Sequence, residues 1–197
     1  MQKKEIQEQR IKGYFIEATK EMLKGEGLKS ISVRNIAERA GYSYTTLYNY
    51  FKDLNELIFL CVKDFQNECE SFINEEIKKD IRGTEKIKGI TKAYIKYFVQ
   101  YPGIFELFFI EKISNIGSKQ PTTELISTFL DRLCAEEWDY CTNQQIMSKE
   151  NADTVMRQLR FVTTGMLLLY LNRLQPADYK EFMRITEEQL DQILNKQ

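Results

Sequence analysis

Apolar residues recur every three to four positions along almost the whole chain, and no stretch alternates strictly enough to read as a strand. The pattern predicts an all-α fold of about nine helices. A first helix is expected over about 2–24, with Ile11, Phe15, Ala18 and Met22 as its inward stripe and Gly25 and Gly27 ending it. Val33, Ile36, Ala37 and Ala40 mark a short second helix, opened by Ser32 at the N-cap and closed by Gly41 as a left-handed cap. Ser43 caps a third. Asp53 and Glu56 form a capping-box pattern that opens a long helix reaching towards Asp80, which Gly83 stops. Thr84 opens the next, running through Ile87, Ile90, Tyr94, Phe98 and Tyr101 to Pro102. A short aromatic helix over 104–113, a loop at 114–121, one helix over about 122–142 and another over about 148–174 follow. Beyond Pro176, Asp178 and Glu181 repeat the capping-box pattern before a last helix.

Two short helices joined by a glycine-containing turn form the unit whose second helix fits a DNA major groove. In that second helix Tyr44, Thr45, Thr46 and Asn49 offer hydroxyls, an amide and methyl groups within little more than one turn. An asparagine can bond adenine bidentately, and a threonine methyl can touch the thymine methyl. Ser43 suits a phosphate, and Arg34, on the preceding helix, can reach a guanine or a phosphate. Leu47 and Phe51 read as the head's own core.

The residues of 31–57, ISVRNIAERAGYSYTTLYNYFKDLNEL, resemble the DNA-binding signature of the TetR family of bacterial transcriptional regulators. Ile36, Ala37, Ala40, Gly41, Ser43, Thr46, Leu47, Tyr48, Tyr50, Phe51 and Leu57 stand at matching spacing. Three positions depart: Tyr42 replaces a small aliphatic, Thr45 a glycine, and Leu54 a lysine that is similar to a phosphate contact in relatives. Lys52, two residues before Leu54, is the candidate substitute. The resemblance implies that Tyr48 and Tyr50 donate to phosphates. It further implies a homodimer on a pseudo-palindromic operator, with an effector bound inside the helical body. Occupation there changes the spacing of the two heads and weakens operator binding. On this reading 1–52 is the DNA-binding head, and 53–197 the ligand-binding and dimerisation body.

The net charge of −1 alone would argue against nucleic acid, but the charge is polarised. Met1 to Lys52 holds ten Lys and Arg against six Glu, a surplus of four, which leaves the remainder at −5. A basic head on an acidic body suits a protein that meets phosphates at one end. The chain contains no histidine, which removes His-based acid–base and nucleophilic catalysis and most zinc and haem sites. Neither an enzyme, nor a cofactor, nor a metal site is expected. Cys61 and Cys69 share one expected helix, and Cys134 and Cys141 another. Each pair lies roughly 10–12 Å apart along its axis, too far for an internal bridge, and buried free thiols are expected. The polar opening MQKKEIQEQR reads as no signal peptide, and the longest apolar run, Phe161 to Leu171, is too short to span a bilayer; a cytoplasmic protein is expected.

The body is rich in aromatic residues, and apolar aromatic walls are typical of small-molecule pockets. Tyr94, Phe98, Phe108 and Trp138 are candidates to line one, with an apolar or aromatic ligand. The helix carrying Phe161 to Leu171 is apolar around nearly its whole circumference and must be covered on more than one side. With the last helix it would form half of a four-helix interface, with Phe161, Gly165, Leu168, Phe182, Ile185 and Leu190 at its centre. The protein is thus expected to be a ligand-released, dimeric repressor. Two other readings stay open: a DNA-binding regulator without a ligand, controlled by a protein partner, and a helical carrier or enzyme whose motif is incidental.

Overall fold

The structure, a computed structural model, describes residues 3–78, 80–110 and 122–195. Among the described residues every regular element is helical. They are α1 (Lys3–Glu26), a 3₁₀ turn (Leu28–Ser30), α2 (Val33–Ala40), α3 (Tyr44–Tyr48), α4 (Leu54–Glu76) and α5 (Gly83–Gln100). Then come α6 (Pro102–Phe105), a π-helical segment (Glu106–Ile110), α7 (Thr122–Ser127), α8 (Phe129–Leu133), α9 (Ala135–Asn143), α10 (Lys149–Leu171) and α11 (Tyr179–Leu194).

The expectation of an all-α chain matches, but the division into helices differs. The single helix expected over 122–142 is three, interrupted at Thr128 and Cys134, neither of which has a side-chain cap. No glycine or proline marks these breaks, so packing rather than local propensity sets them. α1 runs through Gly25 and stops before Gly27, α4 ends at Glu76 rather than near Asp80, and Gly83 is the first residue of α5. α10 ends at Leu171. The aromatic segment after Pro102 is a single α turn that widens into a π turn, and the loop expected at 114–121 lies outside the described residues.

The residues fall into two compact units. One contains those up to Asn67 together with Tyr101 to Ile126. Its core is Phe15, Leu23, Ile36, Leu47, Phe51 and Leu57, all essentially inaccessible. Phe15 meets Phe51 edge-on with ring centres 6.1 Å apart. α6 packs on the C-terminal end of α1. The Lys24 ammonium lies over the rings of Tyr101 and Phe65, at 5.2 and 5.4 Å from their centres.

The other unit holds Glu68 to Gln100 and the residues from Ser127 onward. α5 is its centre, packed by α8, α9, α10 and α11. Ile87, Tyr97, Phe98, Leu159, Leu167 and Leu190 are buried there. One polar knot sits in this core. Glu137, on α9, accepts from the Gly83 amide at 2.7 Å and from Arg82 Nε at 3.0 Å, and Lys86 Nζ stands 2.9 Å from its other oxygen. It thereby satisfies the open N-terminus of α5 and complements its dipole. Burial acts to raise the Glu137 pKa, but the bonds from Lys86, Gly83 and Arg82 outweigh it and hold the carboxyl below its usual range. Lys88 similarly links α5 to α11, reaching Glu187 at 2.7 Å and Asp191 at 2.6 Å. All four cysteines are buried and free, and burial pushes their thiols up, away from the reactive thiolate.

Candidate nucleic-acid interface

Local chemistry builds the second and third helices residue by residue. The Ser32 hydroxyl accepts from the Asn35 amide at 3.1 Å, starting α2. Gly41 ends it with φ +75°, a left-handed turn that a side chain would resist, and the next amide, of Tyr42, reaches back to the Ala37 carbonyl at 2.9 Å. Ser43 then accepts from the Thr46 amide at 3.1 Å, and its hydroxyl also meets that of Thr46 at 2.8 Å. α3 is only five residues long, so these caps carry much of its definition. Leu47 points inward and is fully buried, which alone contributes roughly 1.5–3 kcal/mol.

With Leu47 inward, the opposite face of α3 is outward. Tyr44 is 62% exposed and Tyr48 53%, with Thr45 and Asn49 exposed beside them. Thr46 and Tyr50 are half-buried, and Ser43, Arg34 and Lys52 are exposed. Arg34 makes no ion pair among the described residues, whereas Arg39, on the same helix, is bound to Glu26 at 2.7 Å. The Lys52 backbone amide donates to Glu56 Oε2 at 2.7 Å while Glu56 donates its amide to Asp53 Oδ1 at 2.9 Å, so a capping pair fixes the start of α4. Leu54, at the position where a lysine was expected, is half-buried in the first turn of that helix.

Tyr14 is a candidate that the periodicity did not flag. It is 55% exposed on α1 and stacks on Tyr42, with ring centres 6.1 Å apart. Tyr42 also packs on Phe15 at 5.4 Å, so the larger residue at this position fills a groove between α1 and the turn. The only sequence signal was its place next to the core residue Phe15.

Residues 15–60 match the family model described as bacterial regulatory proteins, tetR family. Over this segment the chain resembles the TetR family. The matched segment contains the whole capped α2–turn–α3 unit. TetR-family proteins are regulators rather than enzymes. The chain is 25% identical over 123 residues to the fatty acid metabolism regulator protein of Bacillus subtilis, covering 60% of this chain and 62% of that one. It is 31% identical over 75 residues to an HTH-type transcriptional regulator of Staphylococcus aureus, covering 37% and 39%. The matches thus span less than two thirds of the length of these curated relatives. The crystal structure of the transcriptional regulator FadR from Bacillus subtilis in complex with stearoyl-CoA has the same fold. Its TM-score is 0.69 at 14% identity, over 92% of this chain and 96% of that one.

Elsewhere, Tyr94 and Phe98 are buried in the second unit, edge-on at 4.8 Å, and Tyr94 packs on Phe129 at 5.8 Å. Trp138 is buried in the same unit, and its indole Nε1 has no hydrogen-bond partner among the described residues. Phe108 is buried in the first unit. A cleft of about 680 Å³ opens in the second unit, lined by the apolar Ile73, Ile77, Ile90, Phe129 and Leu133, the cationic Lys78, Lys86 and Arg132 and the anionic Glu70, Glu136 and Glu137. On the last two helices, Phe161 and Leu168 are exposed and Ile185 half-buried, while Phe182 and Leu190 are covered within one copy. Phe182 stacks flat on Tyr170 at 4.1 Å. Among the described residues no group of three His, Cys, Asp or Glu could hold a metal ion, and no helix is long and apolar enough to cross a membrane.

Proposed function

We propose that this protein is a dimeric transcriptional regulator, acting as a repressor, whose α3 reads a pseudo-palindromic operator. The observation that carries this is the outward face of α3, capped by Ser43, where Tyr44, Thr45, Tyr48 and Asn49 stand exposed within the segment matching the family. Thr45 and Asn49 read base edges, with Tyr44 and Thr46 beside them; Tyr48, Tyr50, Ser43 and Lys52 hold phosphates, and Arg34 contacts either. Tyr14 joins the phosphate contacts. The head spans 1–52 and the regulatory body 53–197. Two copies joined through α10 and α11 present their α3 helices to major grooves about 34–36 Å apart.

The effector is an apolar ligand, and a long-chain acyl thioester is the class favoured by the stearoyl-CoA complex of the structurally similar FadR. The second unit supports this. Phe129 lines the cleft and packs on Tyr94, which packs on Phe98, so candidate aromatic residues adjoin a cleft whose lining mixes isoleucines with three cationic and three anionic side chains. Trp138 stays a candidate because a buried indole N–H without an acceptor can serve a polar ligand group. The ligand must favour a DNA-incompetent state, since equal affinity for both states shifts nothing.

Selection of duplexes from a random pool tests the operator reading: a two-fold symmetric consensus is expected, and no enrichment would refute it. A thermal-shift titration with stearoyl-CoA tests the ligand. At a hundred times the dissociation constant a ligand adds about 2.7 kcal/mol, a shift of a few degrees; the absence of a shift would refute this ligand class.

A further inference from the structure

The first three turns of α1 bury no side chain: its buried residues begin at Phe15, and from Lys3 to Arg10 every residue but Glu8 is exposed. The helical period places Lys3, Gln7, Arg10 and Tyr14 on one side of α1, within an arc of roughly 60°. The acids of this stretch, Glu5 and Glu8, leave the helix roughly 130–170° away from the centre of that arc. Among the described residues Lys3 and Arg10 make no ion pair, whereas Lys20, farther along α1, is held by Glu17 at 3.1 Å and Asp64 at 3.6 Å. Glu17 and Glu21 stand on the same side beyond Tyr14 and end the cationic stripe there. Tyr14 stacks on Tyr42, the residue before the Ser43 cap of α3. The stripe therefore starts beside the cap of α3 and follows α1 away from it.

We infer that Lys3, Gln7 and Arg10 form a track for the DNA backbone adjoining the base pairs under α3, so that the protein grips a longer duplex than α3 reads. The inference rests on the operator reading above and goes beyond the residues it assigns. Charge selects the occupant. Two cations free of carboxylates, an amide donor and a phenol in one line complement a row of phosphates, which is anionic and only accepts. α3 itself carries no Lys or Arg. The counterion release that drives binding to a duplex must therefore come from cations outside α3. Lys3 and Arg10 lie about 10 Å apart along the helix, and a DNA strand carries one phosphate per about 3.4 Å of its axis, so each cation takes a separate phosphate. Gln7, between them, donates to the same strand. Such contacts carry no sequence information; they fix the position of α3 on the duplex.

Salt titration of the full chain tests this, on the duplex that wild type enriches from a random pool and on a scrambled one. A Lys3→Ala, Arg10→Ala variant is compared with a Lys4→Ala, Lys12→Ala control, which loses the same charge from other sides of α1. The track variant is expected to bind both duplexes at least ten-fold more weakly at about 100 mM salt. Its slope of log affinity against log salt should become shallower by about 1.8, roughly 0.9 for each cation. Its melting temperature should match wild type, because these side chains are exposed. An unchanged slope, or an equal loss in the control, overturns the track while leaving the operator reading standing. A wild type that enriches no duplex overturns both. Ethylation interference supplies a second arm: some ethylated phosphates should block wild type and not the track variant. The same set of blocking phosphates for both proteins would contradict the track.

Discussion

Gly103 and Leu23 touch through their backbones: a Cβ placed on Gly103 would stand 2.8 Å from the Leu23 carbonyl oxygen and 2.9 Å from that of Lys24. The first turn of α6 is thus pressed against the last turn of α1, in the same compact unit as α2 and α3. Only a residue without a side chain permits this approach. Glu106, in the π turn that follows, comes close to Gly27 at the end of α1. A segment more than 40 residues downstream of the head's signature is therefore part of the head's own packing.

Gly103→Ala is expected to destabilise this unit by about 1–3 kcal/mol, because the added methyl forces backbone to move rather than a flexible side chain. Thermal melting checks it: a drop of several degrees is expected for Gly103→Ala, and none for Gly13→Ala, where an added methyl meets nothing within 4 Å.

The buried Glu137 predicts an acid-labile body. Its folded pKa is lowered, so its stabilisation is present above the usual glutamate range and falls away as pH drops through the lower, folded value. Denaturant melts from pH 7 down to pH 3 should show stability declining with pH, and Glu137→Gln should flatten that decline. Glu137→Ala, which strands Arg82, Lys86 and the Gly83 amide, should cost on the order of 2–4 kcal/mol at pH 7.

Ser43→Ala removes the cap of a five-residue helix. A loss of about 1 kcal/mol is expected, and if that helix must form to bind DNA, affinity falls roughly five-fold. Ser148→Ala, which removes the equivalent cap of α10, should cost similar stability while leaving DNA affinity unchanged.

The cysteines should be silent towards an exposed-thiol reagent such as Ellman's in the native protein at pH 8, since burial both covers them and raises their pKa. All four should react once the chain is unfolded. Rapid reaction of one thiol in the native state would contradict its burial.

Much of this was legible in the residues because it is local. Ser32, Ser43, Asp53 and Asp178 each accept an amide from the first turn of the helix that follows, as their sequence positions announced. Gly41 announced its turn, and Leu47, read as core, announced the inward side of α3. What was not legible is tertiary. The breaks at Thr128 and Cys134 carry no glycine or proline, and the seat of α6 on α1 depends on a contact eighty residues apart in the chain. Nor can a helical period tell which apolar residues of α10 and α11 are covered within one copy: Phe161 and Phe182 look alike in sequence, yet one is 66% exposed and the other fully buried.

The central claim is that the outward face of α3 reads DNA. Its most direct test is fluorescence anisotropy on the intergenic duplex upstream of the protein's own coding sequence, at 50 and 200 mM salt. A Thr45→Ala, Tyr48→Phe variant and a scrambled duplex are measured beside it. The account predicts tight binding that weakens at least ten-fold at the higher salt, is absent on the scrambled duplex, and falls at least ten-fold in the variant without loss of melting temperature. Equal affinity of variant and wild type for the same duplex would contradict it.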